Sequence, residues 1–406
     1  MNNTPRGSRL NIAIFGKRNA GKSSLINALT GQDIALVSDT PGTTTDPVYK
    51  AMELLPLGPV ELIDTAGIDD EGELGELRVK RSMQVLKQSD MVLLVVDATR
   101  GMGIYEHRLL DMIKEKEIPV VIVFNKADLT DKEIQVNTGL PCVTVSSKTR
   151  EGINELKRLI IENAPSDWCE ETILGDIVSP GETVVLVVPV DMEAPKGRLI
   201  LPQVQTIRDV LDHGASAVVV KEDEYPNVLR NLKSKPALVV TDSQAFHQVA
   251  MDTPLDILLT SFSILFARYK GDLDTMINGT EAIDGLRPGD RVLIMETCTH
   301  HPIGDDIGRV KIPRWLNSYI GGELNYDYLT GRDMPEDYDL KRYKLIIHCG
   351  ACMINRREML YRISRAMYAG VPIVNYGVII AYLNGILERV TQPFEEAYKV
   401  GEVNHQ

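Results

Sequence analysis

The residues with the clearest chemistry form a glycine-rich loop between a strand-like run and a helix-like run. The segment GKRNAGKS, Gly16 to Ser23, follows NIAIF and precedes SLINAL. Its glycines let the backbone curl so that N–H groups point inward, an arrangement that binds phosphate oxygens. Lys22 adds a positive charge for the β and γ phosphates, and Ser23 adds a hydroxyl for Mg2+. This context predicts a loop that binds a nucleoside triphosphate.

Three further motifs follow in order, each at the end of a strand-like run. DTAG places the Asp64 carboxylate where it can hold Mg2+, and it leaves the N–H of Gly67 free for the γ-phosphate. NKAD places Asp128 where it can accept hydrogen bonds from N1 and N2 of guanine, whereas adenine would leave that carboxylate unpaired. SSK supplies a backbone loop for the guanine O6. The four motifs together predict guanine-nucleotide specificity.

The expected nucleotide contacts come from all of these motifs. They are Gly16, Asn19, Ala20, Gly21, Lys22, Ser23, Ser24, Asn125, Lys126, Asp128, Ser146, Ser147 and Lys148. This part of the chain resembles GTPases of the Era and TrmE type, within the TRAFAC class. In that group PGTTTD, Pro41 to Asp46, is the first switch. The resemblance implies Thr44 as the second Mg2+ ligand beside Ser23, with Thr43 and Thr45 as alternatives.

The hydrolytic machinery is expected to differ from that of Ras-like proteins. The residue after DTAG is Ile68, where Ras-like proteins have the glutamine that orients the attacking water. The resemblance to TrmE-like proteins implies that Asn19 coordinates K+, which then acts in place of an arginine finger; Asn19 as a simple turn former stays open. The expected catalytic residues are Lys22, Thr44, Asp64 and Gly67.

A second group of chemically capable residues lies in the last third of the chain. Cys298 belongs to CTH, and Cys349 and Cys352 belong to HCGAC, with His300 and His348 beside them. Both motifs follow strand-like runs, so both are expected at the carboxyl ends of strands in one sheet, where open α/β sheets gather ligands. Thiolates with imidazoles suit zinc or an iron–sulfur cluster. A structural zinc site, a dithiol redox site and histidines without a metal role remain alternatives.

The elements that must position these residues alternate between strand-like and helix-like runs throughout. This pattern predicts an α/β protein of three α/β domains, the first with a doubly wound, mostly parallel sheet. We place a GTP-binding domain at 1–168, a dimerisation domain at 175–262 and a cluster-binding domain at 263–406. In the second domain, ETVVLVVPV and GRLILPQ read as neighbouring strands. In the third, the segment between the two cysteine motifs reads as a loop-rich insert.

Composition limits the classes of function. The 406 residues are 44% hydrophobic and 25% charged, which indicates a folded protein. The net charge of -13 disfavours generic binding to nucleic acid or anionic lipid, and no apolar run reaches the ~18 residues of a membrane span. Five cysteines suit a reducing compartment, and the polar start resembles no signal peptide. We therefore expect a cytoplasmic protein that binds neither membrane nor nucleic acid.

The GTPase motifs combined with CxH and HCxxC give a second resemblance. The whole chain, including APKGRLILPQ, is similar to the HydF family of iron–iron hydrogenase maturation GTPases. The resemblance implies a 4Fe-4S cluster on Cys298, Cys349 and Cys352, with a fourth ligand from His300, His348, Asp305 or Asp306. It further implies a homodimer that receives a diiron precursor from radical-SAM maturases and delivers it to apo-hydrogenase. The alternative is a ribosome- or tRNA-associated GTPase with a structural zinc site.

Overall fold

The structure is a computed structural model with two compact units, Met1–Glu171 and Thr172–Gln406. It describes residues 6–31, 48–65, 83–130, 139–165, 168, 172–189, 199–297, 306–331, 334 and 337–403. Within these residues, the first unit has one sheet and the second unit has two.

The sheet of the first unit has six strands in the order β2-β3-β1-β4-β5-β6. They are β1 (Leu10–Phe15), β2 (Val48–Leu54), β3 (Gly58–Asp64), β4 (Met91–Asp97), β5 (Val120–Asn125) and β6 (Cys142–Thr144). All neighbours are parallel except β2 and β3, which are antiparallel. The strands β1 and β5 are buried along their whole length, as expected for parallel strands covered on both faces.

Helices cover both faces of this sheet. Those whose two ends both lie in the described residues are α1 (Lys22–Thr30), α2 (Ile104–Glu115) and α3 (Ile153–Glu162). Residues 83–87 are also helical, and short 3-10 turns occupy Arg6–Ser8 and Ala127–Leu129. Leu10, Ile12 and Ile14 of β1 pack in one core with residues of α1 and α3, while Ala13 and Phe15 pack in another with residues of α2. This alternation confirms the predicted doubly wound, mostly parallel sheet.

The second unit contains two parallel four-stranded sheets. The first has the order β10-β9-β7-β8, and the second has the order β12-β11-β13-β14. The strands are β7 (Thr183–Val187), β8 (Ser216–Val220), β9 (Leu238–Thr241), β10 (Leu258–Ser261), β11 (Arg291–Glu296), β12 (Asn325–Thr330), β13 (Leu345–His348) and β14 (Ile373–Asn375). Both sheets are covered by helices, so the α/β class holds for the described residues of this unit.

The helices of the second unit pack into a single hydrophobic core that includes residues from both sheets. They are α4 (Leu201–Asp212), α5 (Tyr225–Asn231), α6 (Phe246–Asp252), α7 (Phe262–Lys270), α8 (Leu273–Asn278), α9 (Ile312–Ile320), α10 (Asp337–Leu340), α11 (Arg356–Tyr368), α12 (Tyr376–Leu383) and α13 (Leu387–Val403). Short 3-10 turns occupy Ser243–Ala245 and Gly279–Ala282, and a π-helical turn occupies Ile307–Lys311. Within the part of the chain described, no helix combines the length and apolar character of a bilayer span.

Three local predictions were wrong or incomplete. The described residues of GRLILPQ, from Leu199 onward, form no strand: α4 begins at Leu201, with Pro202 in its first turn, where proline is well tolerated. The predicted loop-rich insert contains a helix, α9, and a strand, β12. The edge strand β2 had no counterpart in the prediction because its side chains are mostly exposed or half-buried. The division into three domains at 168, 175 and 263 stays a prediction.

Candidate functional site

The phosphate loop is held in a tight curl between β1 and α1. The Nζ of Lys22 donates to the main-chain oxygens of Gly16 at 2.8 Å and Lys17 at 2.9 Å, so the ammonium lies inside the loop. Gly16 has φ 154° and a Cβ there would lie 2.3 Å from the oxygen of Val95, which only glycine avoids. Gly21 has φ 91° and starts α1. The geometry matches the loop that the sequence predicts.

Two oxygen donors for Mg2+ lie side by side at the end of β3. The hydroxyl of Ser23 donates to Oδ2 of Asp64 at 2.7 Å. Burial raises the pKa of Asp64, and the Ser23 bond and the positive charge of Lys22 offset part of that effect. Oxygen donors are the ligands Mg2+ prefers, so this pair fits the predicted metal position.

Asn125 connects the phosphate loop to the base-binding loops. Its side chain is 1% exposed, and Nδ2 donates to the oxygens of Ala20 at 3.0 Å and Gly21 at 3.4 Å. Its Oδ1 accepts from the N–H of Ser147 at 3.1 Å and from the Ser147 hydroxyl at 2.9 Å. A Cβ on Gly21 would lie 2.2 Å from Nδ2 of Asn125, which explains a second requirement for glycine there.

The base-binding loops also fix each other. Oδ1 of Asp128 accepts a hydrogen bond from the buried hydroxyl of Ser146 at 2.7 Å, while Asp128 itself remains exposed. Nζ of Lys126 donates to Oδ2 of Asp97 at 2.7 Å. Burial alone would raise the pKa of Asp97, but hydrogen bonds from Lys126 and Thr99 outweigh it and hold the pKa below its ordinary value. The hydrogen bond from Ser146 therefore orients the carboxylate of Asp128, which stays accessible to the base of a nucleotide.

Cys349 directly follows the carboxyl end of β13, beside the carboxyl end of β11, the strand that precedes the CTH motif in the sequence. Strands β11 and β13 are parallel neighbours with Met295 opposite His348. The N–H of Thr297 donates to Sγ of Cys349 at 3.3 Å, and the Thr297 hydroxyl lies 3.4 Å from the same sulfur. Thr297 directly precedes Cys298 in the sequence, and Cys298 itself lies outside the described residues.

The loop from Cys349 to Ile354 packs against a buried lysine. Lys270, the last residue of α7, is 2% exposed, and its Nζ donates to the main-chain oxygen of Ile354 at 2.9 Å. Burial lowers the pKa of Lys270 to about 8, while Cys352 and Cys349 raise it in part. Burial also raises the pKa of the Cys352 thiol, and Lys270 counteracts that effect. The protonation of Lys270 therefore depends on the two thiols, and that of Cys352 depends on Lys270.

Both ring nitrogens of His348 are engaged in hydrogen bonds. The side chain is fully buried; Nδ1 lies 2.7 Å from the oxygen of Cys349, and Nε2 lies 3.1 Å from Nη1 of Arg362. Because arginine can only donate, Nε2 accepts and Nδ1 carries the proton. Arg362 also donates to the Glu358 carboxylate at 2.9 Å. His348 thus orients the main chain at Cys349.

Two buried carboxylates lie near the same strand ends. Glu296 ends β11 and accepts hydrogen bonds from Nη2 of Arg309 and the hydroxyl of Tyr376, each at 3.2 Å. Asp306 accepts from the N–H of Arg309 at 2.6 Å and begins the π-helical turn. Burial raises the pKa of Tyr376, and the negative charges of Cys349, Glu296 and Asp306 raise it further. These acidic groups therefore adjoin the cysteine loop.

The chain matches models of three known protein domains. A model of the hydrogen maturase F dimerization domain matches residues 173–271, and a model of the hydrogen maturase F tetramerization domain matches residues 274–393. The two together match more than half of the chain. The chain belongs to the hydrogen maturase F family. A third model, described as a 50S ribosome-binding GTPase, matches residues 11–126. The chain thus combines a GTPase domain with the dimerization and tetramerization domains of that family, and its GTPase domain binds GTP or GDP with Mg2+.

The N-terminal part is also similar to proteins named tRNA modification GTPase MnmE. The one from Acetivibrio thermocellus is 36% identical over 160 residues, covering 38% of this chain and 34% of its own length. The one from Legionella pneumophila strain Corby is 40% identical over 155 residues, covering 37% and 34%. The chain therefore spans about a third of the length of these curated relatives.

Solved GTPase structures give matches with low TM-scores. The G domain of the T. maritima iron transporter FeoB is 29% identical, with a TM-score of 0.31, covering 38% of this chain and 98% of that chain. Era from Aquifex aeolicus is 20% identical, with a TM-score of 0.36, covering 54% and 97%.

Several predicted site residues lie outside the described residues. They are Thr44 and Gly67 in the GTPase domain, and Cys298, His300 and Asp305 in the cysteine site. Of the others, Lys22, Ser23 and Ser24 form the first turn of α1, and Lys148 is exposed beside Ser147. Asn19 is exposed with φ 61°, a left-handed backbone that asparagine tolerates, so both readings of Asn19 stay open.

The structure adds residues that the sequence reasoning missed. In the hydrogen maturase F GTPase domain, Nζ of Lys17 pairs with the buried Glu106 at 3.0 Å, and Glu106 also caps α2 through the N–H of Gly103. Asp97 could have been found, since it follows a buried strand like the predicted site residues. No sequence motif identifies Lys270, because its contacts are with residues that are distant in sequence.

Proposed function

We propose that this hydrogen maturase F chain is a GTP-hydrolysing scaffold that holds a 4Fe-4S cluster and carries a diiron precursor to apo-hydrogenase. The proposed cluster ligands are Cys298, Cys349 and Cys352. The observation that carries the proposal is the hydrogen bond from the N–H of Thr297 to Sγ of Cys349, because it brings the strand end before Cys298 next to the other cysteine motif.

The donor set fits a thiolate-bound group. Cys349 and Cys352 lie in one loop and form no disulfide within the described part of the chain, and the N–H of Thr297 is already directed at one sulfur. N–H donors to sulfur and nearby positive charge stabilise thiolates and anionic clusters. A bound cluster would supply an iron with an exchangeable ligand, and the chain supplies the loop, the donors and the buried ammonium of Lys270.

The geometry narrows the candidates for a fourth ligand. Coordination by His348 would require it to give up its bond with Arg362 or with the oxygen of Cys349, inside a fully buried pocket. Asp306 is engaged in capping the turn that follows it. These two observations favour His300 or Asp305 as the fourth ligand.

In the GTPase domain, we propose that Ser23 and Thr44 hold Mg2+ and that Asp64 binds it through water. Lys22 stabilises charge on the β and γ phosphates, Gly67 contacts the γ-phosphate, and Asn19 holds K+. Turnover of the full chain in K+ and in Na+ at equal ionic strength tests the last role. Equal rates in the two salts would remove Asn19 as a K+ ligand.

The proposed partners are a second copy of the chain, radical-SAM maturases and apo-hydrogenase, in the cytoplasm. Models of dimerization and tetramerization domains support self-association. Sedimentation at micromolar concentration tests it, and a monomer at every concentration would contradict it.

Anaerobic reconstitution with ferrous iron and sulfide tests the cluster. We expect the visible absorption of an iron–sulfur cluster, lost in Cys298→Ser, Cys349→Ser and Cys352→Ser. Cys142→Ser is the matched control, because Cys142 is an exposed cysteine of the first unit. Stoichiometric zinc without iron uptake would instead favour the alternative, a ribosome- or tRNA-associated GTPase, which the names of the N-terminal relatives support.

A further inference from the structure

One ammonium group is directed at three carbonyls of the cysteine loop. The Nζ of Lys270 lies 2.9 Å from the main-chain oxygen of Ile354, 3.4 Å from that of Cys352 and 3.5 Å from that of Ala351. The lysine belongs to α7, whereas all three carbonyls lie between β13 and α11. The buried ammonium of Lys270, which is distant in sequence, therefore binds the main chain of the loop that contains the cysteines.

We propose that Lys270 is a positioning residue for the cluster site: it fixes the loop that presents Cys349 and Cys352 and places a positive charge against the main chain of that loop. The inference rests on the proposed function, because it takes these cysteines as cluster ligands. It goes further by assigning a role in that site to a residue outside both cysteine motifs.

The loop needs such a support because its backbone is unfavourable. Ala351 has φ 54°, in the left-handed region that a non-glycine residue adopts only when its surroundings hold it there. Hydrogen bonds from an ionised donor are stronger than neutral ones, and one of them ends on the oxygen of Ala351 itself. Lys270 thus acts on the strained residue between the two cysteines.

A neighbouring cation does not take this role. The sequence places Arg356 directly behind the cysteines, but its Nη1 donates to the oxygens of Arg268, Tyr269 and Gly271 at 3.2, 3.1 and 3.0 Å. That guanidinium closes the end of α7 and so fixes the helix that carries Lys270.

The first experiment compares amide hydrogen exchange in the full chain without iron. In Lys270→Met, amides of residues 349–355 should exchange about tenfold faster than in the wild type, as expected for loss of hydrogen bonds to a charged donor. An apolar chain of similar length usually preserves folding at a buried charged position. Equal exchange in this loop would overturn the positioning role.

The matched control is Arg389→Met. Arg389 also donates to three main-chain carbonyls, those of Ala250, Thr253 and Pro254, but at the end of α6. It should speed exchange there and leave residues 349–355 unchanged. Faster exchange of the cysteine loop in this control would show a general loss of stability and would overturn the specific role of Lys270.

The second experiment measures the reduction potential of the reconstituted cluster. Lys270→Met should shift it to a more negative value, since a cation near an anionic cluster favours the reduced form. Lys270→Gln, which keeps donors without charge, should restore part of the loop protection but not the potential. An unchanged potential would overturn the electrostatic part. If the wild type takes up no iron, the proposed function fails, while hydrogen exchange still decides the role of Lys270 in the loop.

Discussion

The link between the phosphate loop and the base-binding loops can be tested at Asn125. Its side chain makes three close hydrogen bonds: to the oxygen of Ala20 at 3.0 Å, and from the N–H and hydroxyl of Ser147 at 3.1 and 2.9 Å. Asn125→Ala removes all three at a position that is 1% exposed. Both loops would then lose their common anchor, together with one expected nucleotide contact, the Asn125 side chain itself.

The size of the effect follows from these bonds. Each intramolecular hydrogen bond contributes about 0.5–1.5 kcal/mol net, so three amount to roughly 3 kcal/mol. If nucleotide binding must restore the loop arrangement, the same free energy weakens GDP binding by roughly a hundredfold. Isothermal titration of GDP into the full chain, well below its unfolding temperature, measures this directly.

Two further variants separate the causes. Asn125→Asp keeps an acceptor for Ser147 and loses the donor to Ala20, so it should weaken GDP binding through the phosphate loop alone. Asn163→Ala is the control, because its Nδ2 bonds to the oxygen of Leu159 at the end of α3. A folded Asn125→Ala variant that binds GDP within about twofold of the wild type would refute the anchoring role.

Two other predictions concern buried and partly buried charges. Arg362→Met leaves Glu358 as an unpaired buried carboxylate and should lower the free energy of unfolding by about 3–5 kcal/mol in urea denaturation, whereas Arg208→Met removes an exposed pair and should have little effect. Because the folded-state pKa of Asp97 lies below 3.8, its bond to Lys126 stabilises the fold above that pH and is lost as the pH falls through the lower value. Asp97→Asn should therefore be less stable than the wild type at neutral pH, and the difference should vanish in strong acid; a constant difference would contradict this.

The nucleotide site was predictable because its chemistry is local. GKRNAGKS, NKAD and SSK each place their residues at a strand end, and short motifs preserve that geometry wherever the strands pair in parallel. The placement of HCGAC after a buried strand was predictable for the same reason, while the metal-binding role of the cysteines stays a prediction. The conformation of the loop between Cys349 and Cys352 was not predictable, because its main chain contacts Lys270, which is distant in sequence.

The incorrect prediction for GRLILPQ and the missed strand β2 have a common cause. GRLILPQ has the apolar residues of a strand, yet Oε1 of Gln203 accepts a hydrogen bond from the N–H of Ile200 and caps a helix that starts at Leu201. The side-chain pattern of β2 is mostly exposed or half-buried and resembles a loop until its backbone pairs with β3. The helix cap determines where α4 begins, and main-chain hydrogen bonds to β3 determine β2. Neither feature can be inferred from the hydrophobic pattern of the sequence alone.

Helix α7 explains why a domain boundary in the sequence does not separate the cysteine site from the dimerization domain. The family models place the boundary between residues 271 and 274, directly after α7. The helix packs against α4 and β10 on one side of that boundary and against α11, α12 and β14 on the other, within one core. Arg268 of α7 pairs with Asp176 near the start of the second unit, and Lys270 holds the cysteine loop. A shift of α7 must therefore move the cysteine loop or break the bonds of Lys270. Within the described residues of this unit, α7 thus contacts both Asp176 and the cysteine loop through its last residues.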